Sequence, residues 1–112
     1  MKFIHERRGV VIVEIVNVTR ATLYEAEDFK QILLQDIELG WRKIIVDLSL
    51  CEFVDSTFLG TLVVSLKKIT GHGGKIKLVG FQSKVNSMFQ ITGLDHVFES
   101  YPTKEEAIKS FK

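Results

Sequence analysis

Proline and cysteine are nearly missing from this chain, with one of each among 112 residues. The single cysteine, Cys51, excludes an internal disulfide and any multi-cysteine metal site, and fits a reducing compartment. An excess of either charge is missing too: fifteen basic and fourteen acidic side chains leave a net +1. That balance argues against a nucleic-acid or acidic-membrane binder working through bulk electrostatics. No apolar run approaches the roughly 20 residues that cross a bilayer, and Met1 to Arg8 lacks the apolar core of a signal peptide. His5, His72 and His96 are scattered without ligand spacing, so neither a metal nor a cofactor is expected. Glycine punctuates rather than clusters, which leaves no linker, repeat or low-complexity tract.

What is present is an ordinary globular composition, 46% hydrophobic and 26% charged. This much apolar surface can offset chain entropy when buried. One soluble cytoplasmic domain over residues 1–112 is expected.

Periodicity along the chain alternates. Val10 to Val16 is β-branched almost throughout and reads as a strand covered on both faces, with Phe3 to Glu6 turned back on it at Gly9. Thr22 with Glu25 forms a capping-box pattern. Behind it Leu23, Ala26, Phe29, Ile32, Leu33 and Ile37 make one apolar helical stripe, closed by Gly40. Lys43 to Leu48 is a second buried strand, and a helix from Asp55-Ser56 runs to about Thr70. Leu59, Leu62, Val63, Leu66 and Ile69 form its packing face. Ile76 to Gly80 is a third strand, and Ser83 with Asn86 opens a third helix ending at Gly93. Val97-Phe98 is expected to add a short strand before a helix capped by Thr103 with Glu106. This order predicts an α/β fold: a mixed, mainly parallel sheet of about four to five strands, with about four helices packed against it.

Sites in such sheets gather where strands end and helices begin, and the best junction runs from Val46 to Gly60. A hydroxyl at a helix start sits among unpaired amides at the positive dipole end, which suits a phosphate. Taken alone, Asp55 or Ser56 reads equally as a helix cap.

Val46-Asp47-Leu48 with Phe53-Val54-Asp55-Ser56-Thr57-Phe58-Leu59-Gly60 resembles the signature of STAS domains, the fold of bacterial anti-sigma factor antagonists. Gly73-Gly74, Thr92-Gly93-Leu94 and Glu105-Glu106-Ala107 extend the resemblance along the chain. It implies a small mixed sheet with helices on one side. It also implies a partner kinase of the histidine-kinase-like ATPase type, often itself an anti-sigma factor, which phosphorylates the serine after the Asp. That serine is Ser56; Thr57 is the second choice. A metal-dependent serine phosphatase would reset the switch. The implied partner surface comprises Thr22, Asp55, Ser56, Thr57 and Phe58. Nucleic-acid contact, membrane insertion and enzymatic activity are not expected, and a monomer or weak dimer is.

Two positions depart from that family's pattern. Phe58 stands where glycine is usual, as a buried core residue or, as we expect, an exposed partner contact. Thr19-Arg20-Ala21-Thr22 keeps a cap but loses a carboxylate and gains a cation. Both allow the alternative of a non-phosphorylated accessory subunit in a lipid-transport or sensory complex. Elsewhere, Cys51 reads as a small buried hydrophobe, and Trp41 as either core anchor or exposed contact.

Overall fold

A computed structural model describes residues 1–112. Phe3–Arg8 (β1) folds back on Val11–Val16 (β2) as an antiparallel hairpin turned at Gly9, whose φ of 65° suits glycine. Lys43–Asp47 (β4), Lys75–Val79 (β6) and Ser100–Tyr101 (β7) join parallel to one another, giving the order β1-β2-β4-β6-β7 with β2 and β4 parallel. A separate two-residue ladder pairs Arg20–Ala21 (β3) with Phe53–Val54 (β5), an element too short to show in the sequence pattern.

Helices cover both faces. Leu23–Glu38 (α1), Ser56–Gly71 (α2) and Ser83–Thr92 (α3) share one core with Ile12, Val16, Ile44, Val46 and Leu78. Leu59, Leu62 and Ile69 anchor α2 there, with Val63 and Leu66 at its margin. Lys104–Ser110 (α4) packs on the opposite face, where Ala107 and Ile108 meet Val11, Val13, Ile45 and Val79. The implied one-sided layer is therefore corrected. Strands apolar at consecutive positions have two faces to remove from water, and α4 covers the second. Lys77 ties it down: only 5% exposed, its Nζ donates to Ser110 Oγ (2.9 Å) and lies 4.3 Å from the Phe111 ring.

Most predicted helix starts and stops are present, including the reciprocal Thr22–Glu25 box, the Thr103 cap and Gly93 at φ 74°. Two differ. Gln82 precedes α3 without capping it, its Nε2 donating instead to Ser49 O at 3.2 Å, so Ser83 is the first helical residue rather than the cap. Val97-Phe98 forms no strand: Leu94–His96 winds into a 3-10 turn after Gly93, Phe98 turns into the core against Phe89, and pairing with β6 begins only at Ser100.

One feature of the main core is polar. Glu14 in β2 is fully buried, pairs across the hairpin with His5 and faces Asp36 of α1. His5 Nδ1 and Glu14 Oε1 share a hydrogen bond, whereas Glu14 Oε2 and Asp36 Oδ2 are buried without a hydrogen-bond partner. Two carboxyl neighbours removed from water cannot both ionise cheaply. Burial raises Glu14, and burial reinforced by Glu14 pushes Asp36 up to about 8. The folded state thus holds a proton that the unfolded chain releases near pH 4. Stability contributed by that proton is complete below pH 4 and is lost as pH rises toward 8. Asp36→Asn should gain on the parent across this window by up to about 1.4 kcal/mol per pH unit. Urea melts at pH 4, 6 and 8 check this; a parent–variant difference independent of pH would show that Asp36 ionises normally.

Candidate functional site

The junction after β4 is held closely. Asp47 Oδ1 accepts from the Ser49 amide at 2.9 Å, and a Cβ at Gly80 would fall 2.6 Å from Ser49 Cβ, so only glycine lets the two loops approach. Cys51 is buried, and desolvation with nearby Asp47 and Glu25 pushes its thiol up to about 12. That environment makes it inert, as a small buried hydrophobe should be.

The β3–β5 ladder then sets the starts of α1 and α2 side by side. Asp55 N donates to Ala21 O at 3.1 Å. Its carboxylate divides between the two helices: Oδ1 accepts from Phe58 N of α2 and Oδ2 from Leu23 N of α1, each at 2.9 Å. A single acidic side chain thereby caps two helix N-termini. Asp55 is the cap of α2, which leaves Ser56 as the first helical residue with its hydroxyl exposed. The amides of Ser56 and Thr57 precede the first intrahelical hydrogen bond and stay free. Thr57 is exposed beside it. Thr22 is half-buried, its Oγ1 accepting from Tyr24 N and donating to Glu25 Oε1.

Phe58 does not belong to this surface. It is fully buried and stacks on Phe29 with ring centroids 5.4 Å apart, continuing to Phe3 on β1. The expected partner contact is corrected to a core residue. One turn into α2 the helix face points at α1, and the large ring fills the wedge between the helices and the sheet. Apolar surface near Ser56 comes instead from residues not singled out for it: Leu23, Tyr24 and Val64 are 57%, 80% and 50% exposed. Leu23 and Val64 flank a groove of about 350 Å³ between α1 and α2, open at Gly60, whose absent side chain leaves nothing within 4 Å. Arg20 lies 4.4 Å over the Phe53 ring at the same edge.

The fold that carries this junction is shared with known proteins. The family model for the STAS domain matches residues 4–107. The chain belongs to the STAS domain family. A Thermotoga maritima protein named "Putative anti-sigma factor antagonist" is 33% identical over 97 residues, 87% of this chain and 82% of that one. The crystal structure of a putative anti-sigma factor antagonist from Thermotoga maritima superposes with a TM-score of 0.87 at 30% identity, covering 96% of this chain and 92% of that one. The anti-sigma-B factor antagonist of Staphylococcus aureus is 29% identical over 72 residues, 64% of this chain and 67% of that one. The anti-sigma factor antagonist SpoIIAA in its unphosphorylated form shares the fold, with a TM-score of 0.85, 22% identity, and coverage of 97% and 95%. The STAS fold here carries its exposed serine directly after the doubly capping aspartate.

Two measurements separate scaffold from surface. Asp55→Ala removes acceptors from two helix starts and should cost about 2 kcal/mol or more, since a single lost cap costs roughly 0.5–2. Asp55→Asn keeps one carbonyl acceptor and should lose about half of that; an Asn variant as stable as the parent would show that only one cap matters. Phe58→Ala should cost about 3–5 kcal/mol in chemical melts, the usual range for a buried phenylalanine. A loss within a few tenths would return Phe58 to the surface.

Proposed function

We propose that this STAS domain is an anti-sigma factor antagonist switched by phosphorylation of Ser56. Its partner would be an anti-sigma factor that is also a serine kinase of histidine-kinase-like ATPase fold, with a metal-dependent serine phosphatase resetting the switch. The observation that carries this reading is the exposed Ser56 hydroxyl at the first position of α2, beside a cap that already points inward to Phe58 N and Leu23 N. Relatives named anti-sigma factor antagonists support the regulatory role, and SpoIIAA, of the same fold, has been solved in a phosphorylated form.

The chemistry follows from the helix start. The free amides of Ser56 and Thr57 can receive part of a phosphate dianion's charge, so the fold should tolerate the modification. A partner packed on the α1–α2 groove and on Leu23 and Tyr24 should not. A phosphate adds about −1.5 to −2 charge to a chain of net +1, and it does so next to the Asp55 carboxylate. Desolvating that charge without a counter-cation costs several kcal/mol. Thr57 provides the second acceptor.

Calorimetric titration with the cognate kinase, together with phosphate transfer from ATP, tests the switch. Ser56→Ala should bind as the parent does, and Ser56→Asp should bind about tenfold or more weakly, with melting temperatures little changed. Equal affinity for all three proteins, and no phosphate incorporated, would overturn the switch in favour of a non-phosphorylated accessory subunit.

A further inference from the structure

The opposite pole of the molecule carries a second surface. The parallel strands begin there, and α1, about 24 Å long at 1.5 Å per residue, separates it from Ser56. Beneath the hairpin tip lies an open cleft of about 450 Å³ lined by Arg7, Val10, Leu39, Trp41, Arg42 and Lys43. Its apolar wall is exposed: Val10 at 69% and Leu39 at 71%, beside the half-buried Trp41 ring. Its cations are not neutralised. None of Arg7, Arg42 or Lys43 forms an ion pair, although seven lysine or arginine pairs with carboxylates occur in the protein.

These three cations are nevertheless held in place. The Arg7 guanidinium lies 5.4 Å from the Trp41 ring centre. Arg42 Nη1 donates to Ile37 O and Trp41 O at 3.0 and 2.9 Å, and Lys43 Nζ donates to Phe111 O at 3.4 Å. Carbonyls and an aromatic face position a cation without cancelling its charge, which leaves it free for an external carboxylate. No acidic side chain lines the cleft. Uncompensated, pre-positioned cations around an apolar hollow are the means by which acidic segments are recognised.

We propose that this pole is a docking site for an acidic peptide segment, with one apolar side chain lodged against Trp41 and Leu39 and flanking carboxylates on Arg7, Arg42 and Lys43. A concave site suits an inserted side chain better than it suits a flat lipid surface. The site stands independently of Ser56.

Trp41 is the only tryptophan of the chain and therefore reports on the cleft directly. The probe is an end-blocked octapeptide of alternating glutamate and leucine, titrated against the full chain while Trp41 emission is followed. Its lysine–leucine counterpart and vesicles of phosphatidylglycerol are titrated in parallel. We expect a saturable emission change with the acidic peptide alone, weakened by added salt. The double variant Arg7→Glu, Lys43→Glu should raise the midpoint by about tenfold or more, with Arg7→Gln, Lys43→Gln as the milder pair should the first fail to fold. Lys84→Glu, on α3, and Ser56→Asp should leave it unchanged. No saturable change, an equal response to the basic peptide, or an undiminished midpoint in the folded double variant would overturn the proposal. A response to the vesicles alone would do so too, and would assign the pole to an anionic membrane surface.

Discussion

Everything at the candidate site depends on one carboxylate. Asp55 joins the first turns of α1 and α2 through two hydrogen bonds of equal length, and one turn further along α2 Thr61 Oγ1 adds a link by donating to Ala26 O at 3.2 Å. Because both dipoles deliver positive potential to the same place, an anion there is stabilised twice. The arrangement fixes Ser56 as well. A cap whose carboxylate turns back onto the helix amides leaves the next side chain pointing outward, so the exposure of Ser56 follows from the capping by Asp55. The β3–β5 ladder, only two residues on each side, suffices for this because the caps lock what the ladder aligns.

The sheet divides the remaining structure into two unlike halves. The face under α1, α2 and α3 is broad and aromatic, with Phe58 stacked on Phe29 and Phe29 tilted against Phe3. The face under α4 is narrow and closed at its rim by polar groups: Lys77 on Ser110, Lys104 on Glu6 at 2.7 Å, and Arg8 on Glu105 at 2.9 Å. The latter two pairs are at least a quarter exposed and contribute little to stability. The main core has its own polar exception in Glu14 and Asp36, which occupy an apolar layer and hold a proton there.

How much was legible in the sequence depended on whether the governing pattern was local. β2, β4 and α1 announce themselves because the residues that make them are contiguous or regularly spaced. The Thr22–Glu25 box could be read for the same reason: it is a contact between residues three apart. Asp55 and Ser56 were legible as a pair through resemblance, but not their division of labour, because the second partner of Asp55 is Leu23, 32 residues earlier. Phe58 was misjudged by the same gap. An aromatic in the first turn of a helix can face either way, and what decided its direction was a ring on another helix. Lys77 looks like a solvated strand residue until α4 closes over it. Glu14 looks like the one outward position of β2, yet it faces inward with Ile12 and Val16, which flank it at two-residue spacing on the strand.

The two ends of the molecule therefore differ in the sign of what they hold. At the end where α1 and α2 begin, helix amides converge and the resident side chain is an acid, so the end is already neutralised and an added phosphate tips it negative. At the end where α1 finishes, the carbonyls of its last turn are met by Arg42, while Arg7 and Lys43 stand without carboxylates. A near-zero net charge thus conceals a dipolar arrangement: a net +1 argues against binding nucleic acid or acidic membranes through bulk electrostatics, and says nothing of the charge at either pole. Separation by the length of α1 exceeds the Debye length of about 8 Å at physiological salt. Charge added at Ser56 is screened before it reaches Arg7. A modification at one pole can consequently alter a partner there without disturbing what is bound at the other, which is the condition a small domain must meet to hold two partners and switch only one.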